Sequence, residues 1–211
     1  TSNTAVGTGA LGENTTASNN NAFGFQALYS NTTGAVQTAM GHAALNANTT
    51  GTENTAFGGA ALKDNTTGNY NVAVGRNALA NNTTASNNTA VGFEAGLSNT
   101  TGASNASLGK GSLYSNTTGN FNAAFGDTAL HANTTASGNT AVGFQAGYSH
   151  TTNGYLTAIG YKAGYTGNAD SAFVGYEAGY NSTGGSNTAM GSYRALYSNT
   201  SGSSNTAIGR E

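Results

Sequence analysis

The residues with the chemistry to catalyse or to hold a metal are few. The carboxylates are Glu13, Glu53, Asp64, Glu94, Asp127, Asp170, Glu177 and Glu211, and the histidines are His42, His131 and His150. Acid–base work needs two carboxylates facing one bond, and a metal needs ligands that converge. The carboxylates do not fall in one column, and the histidines occupy three different repeat positions. There is no cysteine, which excludes disulfides, thiolate ligands and a thiol nucleophile. No G-x-x-x-x-G-K-[ST] phosphate loop occurs, the G-G-x-G-x-D calcium repeat is missing, and no Ser-His-Asp set stands out. The sequence therefore predicts a non-enzyme with no cofactor and no metal.

Charge excludes further classes. Charged residues make up 7% of the 211, against about 25% in an ordinary globular domain. The six basic residues are scattered and the net charge is −2, so a phosphate-neutralising surface, and with it a nucleic-acid partner, is not expected. No apolar run approaches the ~18 residues of a membrane span, so no direct membrane insertion is expected. Thr1 with no preceding Met or signal segment reads as the start of a fragment or a processed product.

What the chain does have is a repeat. Ala-apolar-Gly recurs with its glycines at Gly7, Gly24, Gly41, Gly58, Gly75, Gly92, Gly109, Gly126, Gly143 and Gly160, 17 residues apart without error. The steps then become 15, 16 and 18 at Gly175, Gly191 and Gly209. The unit is roughly N-T-A-[VFMIL]-G-x-x-A-[LG]-x-x-N-T-T-[GA]-x-x. It is rich in Asn, Thr and Gly, which are poor helix formers. Each unit reads as one coil of a parallel β-solenoid (β-roll), with two short strands and two turns, stacked at ~4.8 Å per coil. About thirteen coils fill one repeat domain, 1–211, as an all-β rod ~60 Å long. Within it, 161–211 forms irregular, Tyr-rich coils.

In a solenoid, equivalent positions stack into columns. The column before the glycine, from Val6 and Phe23 to Met190 and Ile208, is never polar and is expected inside. Side chains alternate along a strand, so the residue before it is expected outside. That column is Ala5, Ala22, Ala39, Ala56, Ala73, Ala90, Ala124 and Ala141, with Ser107 as the exception. An outward column of alanine suggests packing against another chain, most simply in a parallel homotrimer. A 17-residue coil encloses too small a core to stand alone easily. The column Asn14, Asn31, Asn48, Asn65, Asn82, Asn99, Asn116 and Asn133, each followed by Thr-Thr, marks a turn whose amides can stack as a ladder. His150 breaks it. Each Asn-Thr-Thr is also an N-glycosylation sequon, but its spacing tracks the coil. A second Asn column runs from Asn3 and Asn20 to Asn139.

Eight of the eleven tyrosines lie in 148–197. Tyr148, Tyr165 and Tyr180 each follow a Gly that replaces the usual Leu, and read as core filler. Tyr161 and Tyr176 directly follow the repeat glycine and are the candidate surface contacts, because Tyr joins apolar area to a polar tip.

The repeats, represented by Asn3-Thr4-Ala5-Val6-Gly7 and Asn139-Thr140-Ala141-Val142-Gly143, resemble the head repeats of trimeric autotransporter adhesins (YadA-like heads) and the repeats of phage and bacterial tail-fibre-like proteins. The resemblance covers essentially every coil, although 17 residues is longer than the usual adhesin head repeat. It implies a trimer of left-handed β-rolls on a cell surface or virion tail, hence an extracellular place. The function expected is a rigid fibre or adhesion module whose partners are itself and a host surface glycan or protein. An end-to-end extracellular filament is one alternative. An ice-binding solenoid, using pairs such as Thr15/Thr16, Thr32/Thr33 and Thr49/Thr50, is the other.

Overall fold

The computed structural model describes residues 2–166 and 170–211. Its contacts group the chain into two compact units, Thr1–Asn105 and Ala106–Glu211. Among the described residues all regular structure is β. The first unit holds β1 (Thr4–Val6), β2 (Asn21–Phe23), β3 (Thr38–Met40), β4 (Thr55–Phe57), β5 (Val72–Val74) and β6 (Thr89–Val91). The second holds β7 (Ala106–Leu108), β8 (Ala123–Phe125), β9 (Thr140–Val142), β10 (Thr157–Ile159), β11 (Ala172–Tyr176), β12 (Thr188–Tyr193) and β13 (Thr206–Ile208). In each unit every strand pairs in parallel with the next, and the repeat sets the register: Ala22 faces Ala39, and Phe23 faces Met40. The expected β-solenoid is thus the fold.

The irregular steps leave this register intact. Thr157 faces Ala172, Ala172 faces Thr188 and Thr188 faces Thr206. The turns absorb the length changes, and a bulge between β11 and β12 sets Tyr176 beside Tyr193.

Two expectations are corrected. Each coil has one strand, not two. The Ala-Leu segment is a succession of turns in which alternate residues are left-handed, such as Gln26 (φ 52°) and Leu28 (φ 52°). Its carbonyls still point along the stacking direction, so Leu28 N–H donates to Ala44 O at 3.0 Å and Leu45 N–H to Ala61 O at 3.0 Å. A leucine in this conformation costs ~1–2 kcal/mol. Burying its side chain returns ~1.5–3 kcal/mol, and Leu28, Leu45, Leu62 and Leu130 are fully buried.

The second correction is the direction the strand faces. Ala22, Ala39, Ala56, Ala73, Ala90, Ala124 and Ala141 lie inside their own coils with no exposed surface. Only Ala5, in the first coil, is exposed. These alanines therefore pack within the chain and not between chains. The large column points outward instead: Phe57 and Leu108 are each 51% exposed and Met190 46%. Interior width decides this. The strand backs directly onto the Ala-Leu turn, and the leucines already fill that space. Only a methyl group fits opposite them.

The repeat glycine follows from the same crowding. Gly58 has φ +137°, and a Cβ there would lie 2.6 Å from the Gly75 carbonyl oxygen. Both its conformation and the approach of the next coil require glycine.

Candidate functional site

The opposite side of each coil's interior is polar, and in the first unit its buried asparagines are hydrogen-bonded from coil to coil. Asn48, Asn65 and Asn82 are buried. Asn65 Nδ2 donates to Asn48 Oδ1 at 2.9 Å and to Gly68 O at 3.0 Å, while Asn82 Nδ2 donates to Asn65 Oδ1 at 2.8 Å. The ladder begins at Asn14, which accepts from Asn31 at 3.2 Å, and runs through Asn99 in the first unit. In the second unit Asn133 Nδ2 donates to Asn116 Oδ1 at 2.7 Å. The second Asn column completes the pattern. Asn54 Nδ2 donates to the same Gly68 carbonyl at 2.8 Å, and Asn71 N–H donates to Asn54 Oδ1 at 2.9 Å. In each coil of the first unit one carbonyl thus accepts two side-chain amides. The ladder asparagines are consumed structurally, and those buried ones are closed to glycan attachment in the folded chain.

His150 takes a rung of this ladder. It is buried, and both its Nε2 and the Asn133 Oδ1 of the preceding rung lack a hydrogen-bond partner. Burial pushes the imidazole below its ordinary pKa, opposed by a hydrogen bond to the Asn153 backbone. No group of three or more metal-ligating side chains gathers among the described residues.

The outward surface carries the features with binding potential. On each sheet, two columns point away from the interior: Thr4, Asn21, Thr38, Thr55, Val72 and Thr89 in the first unit, beside Val6, Phe23, Met40, Phe57, Val74 and Val91. In the second unit the apolar column continues as Leu108, Phe125, Val142, Ile159, Val174, Met190 and Ile208. Neither column contains a charged residue in either unit. Such a row is unusual for a water-facing sheet, where charges normally guard against association. Alternation separates the large apolar column from the alanines; what it leaves open is which of the two faces out.

The Thr-Thr pairs behave differently. Thr32 Oγ1 donates to Thr49 O at 3.1 Å and Thr49 Oγ1 to Thr66 O at 3.1 Å. These hydroxyls, from the first Thr of each pair, brace one coil to the next, while the second residues Thr16, Thr33 and Thr50 are exposed.

The tyrosines of the second unit other than Tyr155 lie in two stacked columns. Phe144, Tyr161, Tyr176 and Tyr193 stack with centroids 5.0–5.3 Å apart. Tyr114, His131, Tyr148, Tyr165, Tyr180 and Tyr197 stack at 4.8–5.2 Å, with interplanar angles of 14° or less. Tyr161 and Tyr176, singled out by sequence, are both 39% exposed and neighbours in the first column. Burial raises the Tyr176 hydroxyl's pKa, with Glu177 adding to the effect. Burial also lowers that of His131, opposed by Asp127.

Tyr148, Tyr165 and Tyr180 are half-buried surface rings and do not fill the core. The volume vacated at Gly147 and Gly164 is taken by Leu156 and Phe173. A Cβ on Gly147 would lie 3.0 Å from Leu156 Cδ2, and one on Gly164 2.8 Å from Phe173 Cδ2. Leu156 replaces an Asn of the second column and Phe173 replaces an Ala of the strand column. These compensating exchanges are visible in the sequence only once the columns are aligned.

Between the ring columns runs a third: Gln145, Lys162, Glu177 and Arg194. Lys162 Nζ lies 5.4 Å from the Tyr161 centroid and 5.9 Å from that of Tyr165. Arg194 sits 4.8 Å and 4.7 Å from Tyr193 and Tyr197, and its Nε donates to Glu177 at 2.7 Å.

Comparison with protein-family models, curated proteins and solved structures gives no match.

Proposed function

We propose that the chain is a non-enzymatic structural module of a homo-oligomeric fibre, most simply a parallel trimer. It would serve as the rod of a cell-surface adhesin or phage tail fibre in attachment to a host or surface. The observation that carries this reading is the charge-free apolar column standing outward on each sheet. An identical chain is the natural cover, because two solenoids laid side by side share one pitch and keep every coil in register. Closed rotational symmetry then buries the column without leaving an open edge. The resemblance to adhesin-head and tail-fibre repeats favours three-fold closure and an extracellular or virion place. It also favours host glycan or protein as the outer partner. The interface in this account is the Val6–Ile208 column and not the alanines.

The test is to place charge on the column. Phe57→Lys with Phe125→Lys should leave the circular dichroism spectrum unchanged and give a single chain by analytical ultracentrifugation. An unchanged assembly would sink the proposal. A wild-type dimer would keep self-association and remove the three-fold closure.

A second reading has one observation in its favour. The outward Thr column beside the apolar one gives a Thr-x-apolar surface, the sort of flat rank that orders ice-like water. Phe23, Phe57 and Phe125 break the flatness of that surface. Absence of thermal hysteresis would retire this reading.

A further inference from the structure

We infer that the double ring column of the second unit is a binding stripe for an extended, uncharged, β-linked polysaccharide lying along the stacking direction. This deepens the attachment reading above and rests on it.

The argument starts from what the stacking leaves available. Each ring within the column Tyr114–Tyr197 covers the face of its neighbour, so a sugar cannot lie flat on an interior ring. What remains is a row of ring edges, with a phenolic hydroxyl at each of the four successive rungs Tyr148, Tyr165, Tyr180 and Tyr197. Those hydroxyls both donate and accept. The row repeats at the ring spacing of 4.8–5.2 Å. A ligand that engages several rungs must share this repeat and carry a polar group at each step.

That requirement discriminates between polymers. A peptide strand advances ~3.3 Å per residue and a polyproline helix ~3.1 Å, so their groups drift out of phase with the rungs. A nucleic-acid strand presents a charge every ~3.4 Å and would meet no continuous basic surface. A ribbon-like β-linked pyranose chain advances by about one sugar per coil and bears hydroxyls on both edges. The charge pattern agrees. Lys162, Glu177 and Arg194 alternate in sign between the columns, and Arg194 is paired with Glu177. A stripe in which the signs alternate presents no run of like charge to draw in an acidic chain. Gln145 and Lys162 are then placed to hydrogen-bond sugar hydroxyls beside the rings.

The structure also answers the simplest competing account, that these rings fill the core. Leu156 and Phe173 fill it, as shown above, and the rings stand at the surface. Stacking alone would stabilise the coils equally well with phenylalanine, so the hydroxyls separate the two roles.

The experiment is calorimetric titration of the intact chain with cello-oligosaccharides from the disaccharide to the hexasaccharide. Maltohexaose, α-linked and coiled, is the control. The expected result is affinity that climbs with chain length and no heat from maltohexaose. The variant Tyr148→Phe/Tyr165→Phe/Tyr180→Phe should keep its melting temperature and bind the hexasaccharide at least about tenfold more weakly, as loss of several hydroxyl contacts implies. No binding, affinity independent of length, equal binding of maltohexaose, or an unaffected triple variant each overturns the inference. A trimer that binds no sugar would leave the fibre reading standing, and a monomer that binds sugar would leave only this one.

Discussion

Asn65 offers the sharpest test of how the coils hold together. Its amide occupies the middle of a buried ladder, giving Nδ2 hydrogens to Asn48 Oδ1 and Gly68 O and accepting from Asn82 Nδ2. Asn65→Ala leaves Asn48 Oδ1 without its donor. It also strips one acceptor from Asn82, which keeps its bond to Ala85 O at 3.0 Å. The Gly68 carbonyl is still served by Asn54. Two buried groups are thus orphaned, and each costs ~1–3 kcal/mol, so the variant should lose about 4 kcal/mol. The half-exposed first rung is the control. Asn14→Ala removes weaker bonds of 3.2 Å at a wetter place, and should cost only about 1 kcal/mol. Urea titration followed by far-ultraviolet circular dichroism gives both numbers, with an unchanged m-value as evidence that the unfolded reference is the same. A loss at Asn65 no greater than that at Asn14 would refute the claim that the ladder is a principal source of cohesion.

Two further outcomes follow from the same geometry. Gly58→Ala combines φ +137° with a Cβ 2.6 Å from the Gly75 carbonyl oxygen, and should destabilise by at least ~3 kcal/mol or abolish folding; a loss below ~1 kcal/mol in urea would contradict the packing described. His150→Asn should restore a donor to Asn133 Oδ1 and raise the melting temperature. Because burial favours neutral His150, the wild type should be most stable above pH ~6.5 and lose stability as the pH falls through that value. The variant should lose that acid limb, and an identical pH profile in both proteins would exclude His150 as its source.

Much of this architecture was legible in the repeat. The period gives the coil, the invariant glycine gives the close approach, and the Asn columns give the ladder, because one unit stacked on itself leaves each column a single environment. The direction of the strand was not legible. Alternation separates Ala22 from Phe23 but does not say which faces in, and the habit of placing large apolar groups inside gave the wrong answer. Interior width, fixed by how tightly the Ala-Leu turn folds back, decided it. That turn was itself hidden, because a leucine at φ 52° violates the local preference of its residue type and holds only through burial. The places of Tyr148, Tyr165 and Tyr180 are hidden for a related reason. The local exchange of Leu for Gly suggested that the next residue moved inward, whereas the filling groups, Leu156 and Phe173, come from other columns.

Assembly through the outward column is the claim on which the functional account rests. Light scattering after size exclusion, run on the wild-type chain at several concentrations, measures it directly. The account predicts a mass near three times 20.9 kDa that holds on dilution. A monomer of 20.9 kDa at every concentration would mean that the apolar columns face water in solution, and would contradict it.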